Sequence, residues 1–169
     1  YEIIDFFPSG SDERQFSSPG FNMAIGSLMR TPYGKFPQYH SSADNLDFVK
    51  PEFLEDSFNK YFRVISLLDK EESINPVQPI TKNPKNADLI YVNLNPKCEP
   101  QLSKRGLYTT LGGQKVDDLT KTAIQWVLNL SDGKNSLLDI SNRSGINFEV
   151  IVNAANMLMQ NNLLQKYIQ

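Results

Sequence analysis

Histidine and cysteine are almost missing from this chain: among 169 residues there is one of each, His40 and Cys98. A single cysteine excludes an internal disulfide and suits a reducing compartment, so a cytoplasmic location is expected. One histidine excludes a self-contained metal centre built on several imidazoles. Excess basic charge is also lacking, with 17 Lys and Arg against 19 Asp and Glu and a formal net charge of -2. Broad surfaces for nucleic acid or anionic membrane depend on clustered Lys and Arg, so neither partner is expected. No apolar run approaches the ~20 residues that span a bilayer. What remains is 40% hydrophobic, enough for a core and of a length that suits two small domains.

The first part of the chain predicts short strands and ordered loops. Ile3, Ile4, Phe6 and Phe7 are strand formers that stop at the turn cluster Pro8-Ser9-Gly10, and Ala24 to Arg30 is a second apolar run between Gly20 and Pro32. A long helix is predicted from about Pro51 to Lys70. Pro51 suits the first helical position, Glu52, Glu55 and Asp56 suit the positive end of the dipole, and Leu54, Phe58, Tyr61, Phe62, Ile65 and Leu68 recur every three or four residues. That stripe is expected to pack against the sheet. A proline-rich connector follows at about 73–87, then a strand at about 88–94, expected at an edge or as half of a hairpin. The turn-rich stretch that ends in Gly112-Gly113 marks the expected boundary between a first domain, 1–113, and a second, 114–169.

The second domain predicts three helices and a short ribbon. Leu119 to Leu130 carries apolar side chains on one side, Ser136 caps a helix to Asn142, Gly145 breaks it, and Asn147 starts a third helix that ends before Asn161-Asn162. A ribbon is expected over 163–168. A short helix, a glycine-containing turn and a further helix make a helix-turn-helix pattern, which commonly places its second helix in the major groove of DNA. Charge argues against DNA here. From Lys115 onward, Lys115, Lys121, Lys134, Arg143 and Lys166 are balanced by Asp117, Asp118, Asp132, Asp139 and Glu149. Counterion release by Lys and Arg supplies most non-specific affinity, and residues 147–162 contain none. Packing or protein interaction is the expected role.

His40 lies in Phe36-Pro37-Gln38-Tyr39-His40-Ser41-Ser42-Ala43-Asp44, which reads as a metal-ligand loop. Tyr39, His40, Ser41 and Asp44 fit a Tyr-His-(Ser/Thr)-x-x-(Asp/Glu) pattern that resembles the end of the catalytic domain in two-zinc aminopeptidases, the class that includes glutamate carboxypeptidase. Residues 8–16, 26–34, 95–102 and 104–108 are similar to a narrower family, the aminopeptidase-like proteins of bacterial polysaccharide gene clusters, in which the closing segment is a winged helix. The resemblance implies an α/β fold class: a partial aminopeptidase-like sheet-and-helix domain followed by a small winged-helix domain.

The same resemblance implies roles. His40 would be a zinc ligand, and two zinc ions are expected in the complete protein. Tyr39 would donate a hydrogen bond to the tetrahedral intermediate, Ser41 or Asp44 would hold the imidazole tautomer, and Asp12, Glu13, Arg14 and Arg30 would line the substrate pocket. Arg14 or Arg30 suits a carboxylate because its planar fork binds two oxygens at once. Asp12, Glu13 and Arg14 equally suit pairing with one another. A two-zinc site also needs a second histidine, carboxylate ligands and a general base, none of which a one-histidine chain can complete. The chain opens on Tyr1, in mid-strand, so it is expected to be the C-terminal part of a longer hydrolase of peptide or amide bonds, inactive alone. Its expected partners are its own N-terminal catalytic half, a peptide or amide-bearing small substrate, and a second copy of the chain. The alternative is a non-catalytic scaffold that keeps the hydrolase fold and uses the winged helix for protein contact.

Overall fold

Strand β1 (Ile90–Asn93) organises the larger part of the molecule, because it lies in the middle of a three-stranded antiparallel sheet. Its neighbours are β2 (Asp132–Ser136) and β3 (Leu164–Lys166). Tyr91, Val92 and Asn93 face Lys166, Gln165 and Leu164, while on the other side Ile90 faces Ser136 and Val92 faces Asp132, with an irregularity between the two pairs. The computed structural model describes residues 1–8, 12–70, 89–108 and 116–168. These fall into two units, Tyr1–Gly26 with Lys82–Gln169, and Ser27–Thr81.

In the first unit three helices pack on the sheet: α3 (Asp118–Leu130), α4 (Leu137–Ser144) and α5 (Phe148–Gln160). Each start is set by a local oxygen. Asp117 Oδ1 accepts from the Thr120 N–H at 2.9 Å, Ser136 and Asp139 exchange bonds in a capping box, and Asn147 Oδ1 accepts from the Glu149 N–H at 2.8 Å. Gly145, at φ 70°, ends α4 in the left-handed region that glycine adopts without strain. The core brings Ile124 and Val127 of α3 against Ile140 of α4 and Ile151 and Leu158 of α5, all with no accessible surface, and Leu102 and Leu163 close it from neighbouring loops. Asn93 is buried and satisfied: its Nδ2 donates to the Leu128 carbonyl at 3.0 Å, which joins the central strand to the end of α3.

The predicted helices of this segment are present within a residue or two at each end. The sheet differs from expectation. The strand anticipated near 88–94 is central, where an edge or half-hairpin position was expected, and residues 163–168 supply a single strand paired to it. β2, with sequence Asp-Gly-Lys-Asn-Ser, carries no strand pattern; pairing with β1 and the turn held by Asp132 Oδ1, which accepts from the Lys134 and Asn135 N–H groups at 2.9 and 3.1 Å, make it one. The sheet thus takes its middle strand from before residue 113.

The two strands expected in the first thirty residues are not formed among the described residues. A strand needs a hydrogen-bonding neighbour. Phe6 and Phe7 find aromatic packing instead, while Ile3 and Ile4 stay exposed: the two rings meet that of buried Trp126 edge-on, at 5.6 and 5.9 Å between centroids, and the Arg143 guanidinium lies 5.5 Å from the centre of the Phe6 ring. Residues 24–30 are exposed throughout. A short helix, α1 (Asp12–Phe16), stands where a loop was expected. The turn after it docks on the 95–100 loop, where the Gly20 N–H donates to the Pro96 carbonyl at 2.7 Å and a side chain at Gly20 would collide with that carbonyl.

The second unit holds α2 (Pro51–Leu68), an 18-residue helix close to the predicted span. Its expected packing against a sheet is not observed: it has no buried residue, and Phe53, Leu54, Phe58, Phe62 and Ile65 are each half or more exposed. The proline-rich connector and the Gly112-Gly113 boundary lie outside the described residues.

Candidate functional site

His40 sits in the second unit at the end of a nest of rings. Phe36 stacks on Phe48 at 5.8 Å and meets Tyr39 edge-on at 5.6 Å, Tyr33 lies 5.7 Å from Tyr39, and Tyr39 stacks on the His40 imidazole at 3.9 Å with 16° between planes. Stacking of adjacent residues requires a sharp backbone turn, and His40 takes φ 55°, a left-handed conformation uncommon outside glycine. His40 is exposed and Tyr39 partly so. The arrangement presents one imidazole and one phenol side by side, a nitrogen donor and a hydroxyl on a fixed aromatic platform.

Of the two groups expected to orient the imidazole, the Ser41 hydroxyl is engaged within the loop. The Ser41 hydroxyl donates to the Gln38 carbonyl at 2.9 Å and accepts from the Ala43 N–H at 3.3 Å. Asp44 is exposed, and its N–H donates to the Ser41 carbonyl at 3.1 Å. Among the described residues there is no group of three His, Cys, Asp or Glu able to hold a metal ion. His40 thus offers one donor, short of the four that a zinc site ordinarily has.

The expected pocket residues fall into two groups. Arg30, in the same unit as His40, pairs with Asp56, donates to the Phe53 carbonyl at 3.2 Å, and stacks its guanidinium 4.9 Å from the centre of the Phe53 ring. Asp56 is shared with Lys60, whose hydrogen bond, followed by the charges of Lys60 and Arg30, holds the carboxyl below its usual range against a smaller opposing effect of desolvation.

Asp12, Glu13 and Arg14 lie in the first unit. Asp12 is exposed at the start of α1, and Glu13 is partly buried. Arg14 Nη2 meets Glu99 Oε2 at 2.8 Å, with 17% and 21% of the two side chains accessible, and Glu99 Oε2 also accepts from the Tyr108 hydroxyl at 3.3 Å. The other face of the guanidinium meets the Gln125 amide oxygen at 2.7 Å from Nη1, with the Gln125 nitrogen on the Pro8 carbonyl at 2.8 Å. Arg14, like Arg30, therefore has an internal carboxylate where a substrate's had been expected. Arg14 takes Glu99 as a partner, whose signal in the sequence, one Glu in a proline-flanked loop, names none.

The exposed side of α5 carries Glu149, Asn153, Asn156 and Gln160 and no cation. That surface lacks the phosphate-binding charge of a DNA reader.

Comparison with known proteins divides the chain near the proline-rich segment, so that one match spans residues of both units. Residues 89–166 match the winged helix-turn-helix family, in agreement with the three helices and sheet of the first unit. Residues 1–71 match a family described as a domain of unknown function, DUF4910. Over 165 residues the chain is 48% identical to a Clostridium acetobutylicum protein named for polysaccharide biosynthesis and an aminopeptidase-like domain, a match that covers 98% of this chain and 34% of that protein. A crystal structure described as a peptidase from the same organism is 46% identical, with 96% of this chain and 31% of that one covered and a TM-score of 0.39. The chain spans about one third of the length of these relatives. Among the described residues no helix is long and apolar enough to cross a membrane.

Proposed function

We propose that this chain is the C-terminal portion of a zinc-dependent, aminopeptidase-like hydrolase of amide or peptide bonds, to which it contributes the Tyr39-His40 corner and a winged-helix module, and that it is inactive alone. The observation that carries the reading is the 48% identity, across nearly the whole chain, to a protein named for an aminopeptidase-like domain. The exposed imidazole, stacked on the Tyr39 phenol at 3.9 Å, is in keeping with it.

The zinc set does not fit these residues by themselves, because the described residues bring one imidazole and no cluster of further ligands around it. The reading therefore assigns the other donors and the general base to polypeptide outside this chain. Within the chain, the aromatic nest holds Tyr39 and His40 in one orientation, and the Tyr39 hydroxyl is a donor suited to an oxygen that gains charge in the transition state. The winged unit serves protein contact, since its α5 face carries amides in place of cations. The substrate is a peptide N-terminus or an amide or acyl group on an amino sugar, the latter in view of the relative's name.

The test is zinc content and aminoacyl-amide hydrolysis by the longer polypeptide, with and without His40→Ala. Loss of zinc together with activity supports the reading. Full zinc and full activity in the variant remove His40 from the site, and absence of both from the unaltered polypeptide favours the non-catalytic scaffold.

A further inference from the structure

α2 has the composition of a core helix and the surroundings of a surface one. Leu54, Phe58, Tyr61, Phe62, Ile65 and Leu68 form one broad stripe, with exposures of 60, 66, 48, 63, 62 and 53%. At 100° per residue Glu52, Asp56, Lys60 and Arg63 lie on the opposite side of the helix, and Glu55 lies at the margin of the stripe beside Phe62. Within its unit α2 is held at one edge, where Arg30 grips Asp56 and the Phe53 ring and the Tyr61 hydroxyl donates to the Leu28 carbonyl at 2.7 Å. Beside that edge an open hollow of about 640 Å³ is lined by Phe36, Phe48, Val49, Phe53 and Leu54, with Arg30 and Lys50 also in its wall. A contiguous apolar stripe of the kind α2 carries marks an interface.

We infer that this face is the seat of the polypeptide that lies outside this chain in the longer protein, and that it is covered permanently. The inference rests on the reading that such a longer protein exists, which the relative supports, since two thirds of it lies outside the matched region. The chemistry of the stripe agrees: aromatic and aliphatic side chains without a charge among them suit an obligate contact, which resembles a domain core cut in two, and charged rims suit exchangeable ones.

The experiment mixes this chain with the remaining two thirds of the Clostridium acetobutylicum relative, expressed separately, and follows complex formation by sedimentation. A 1:1 complex is expected, weakened about a hundredfold or more by Phe58→Lys with Phe62→Lys. Arg63→Glu, on the opposite side, should leave affinity within about threefold. Emission of Trp126, the single tryptophan, shows that each variant keeps the first unit folded. Hydrogen exchange of the α2 amides should slow on mixing. Absence of a complex, equal affinity of the double variant, or α2 protection already complete in the unmixed chain would each overturn the proposal; so would a dimer of this chain that the double substitution dissolves while the added portion stays unbound. Zinc measured on the same mixture keeps the two readings apart. A complex without zinc retains the docking face and removes the hydrolase, and zinc uptake that ignores the α2 substitutions does the reverse.

Discussion

The two units use apolar side chains in opposite ways. In the first, Ile124, Val127, Ile151 and Leu158 lose all contact with solvent, and the helices that carry them are capped at each start. In the second, a helix with as strong an apolar stripe keeps every residue accessible. Sequence pattern alone does not separate these cases, because periodicity reports that a face wants cover without naming what covers it. The difference locates stability in the winged unit and an unmet demand for cover in α2.

Large-to-alanine substitutions in the two units sharpen that contrast most. Leu158→Ala should cost about 2–5 kcal/mol through lost burial and the cavity left behind, read by urea unfolding through Trp126 emission. Phe58→Ala, removing more carbon from an exposed site, should stay within about 0.5 kcal/mol when the opening of α2 is read from hydrogen exchange of its own amides. Equal costs would mean that α2 is buried in solution and would break the comparison.

Arg14→Ala comes next. It leaves Glu99 with one-fifth of its side chain accessible and only Tyr108 as side-chain partner, and should destabilise the first unit by about 2 kcal/mol. Arg14→Lys should recover less than half of that loss, since an ammonium cannot bridge Glu99 and Gln125 together as the fork does. Under the proposed hydrolase reading, unchanged hydrolysis by the longer polypeptide carrying a stable Arg14→Lys substitution would also argue against a substrate-carboxylate role for this residue.

Asp117→Ala should remove the α3 cap and lower the stability of the first unit by less than Arg14→Ala does, again visible through Trp126. The smallest effect is expected at Asp56. Its carboxyl is held below its ordinary value of 3.8 by the Lys60 hydrogen bond and then by the Lys60 and Arg30 charges, so the stabilisation is present above that value and is lost as pH falls through the lower folded one. An NMR titration of the Asp56 carboxyl should show a midpoint below 3.8, moving back toward it in Arg30→Gln. A midpoint that does not move in Arg30→Gln would mean that the Arg30–Asp56 contact does not persist in solution.

Much of the winged unit was legible because its signals are local. Ser136 and Asn147 announce helix starts, Gly145 announces an end, and apolar residues three and four apart announce the inner faces. The candidate site was legible only as a loop, in Tyr39 and His40. Their stacking depends on Tyr33, Phe36 and Phe48 and on the left-handed turn at His40, which no local pattern reports. The pairing of Arg14 with Glu99 escaped for a similar reason: the two stand 85 positions apart, and charge has no period.

Residue order along the chain was enough for the four longer helices and for the caps at Ser136 and Asn147, since each follows from which residue stands within a few places of which other, and composition was enough for the scarcity of imidazole and thiolate donors. Tertiary structure decided that Asp132–Ser136 is a strand, that Ile90–Asn93 is the middle of the sheet, and that Phe6 and Phe7 pack on Trp126 without pairing as a strand. It also decided which arginines are already spoken for and which apolar face goes uncovered. Strands and ion pairs are completed by atoms distant along the chain, and their free energy is settled only when the fold brings those atoms together.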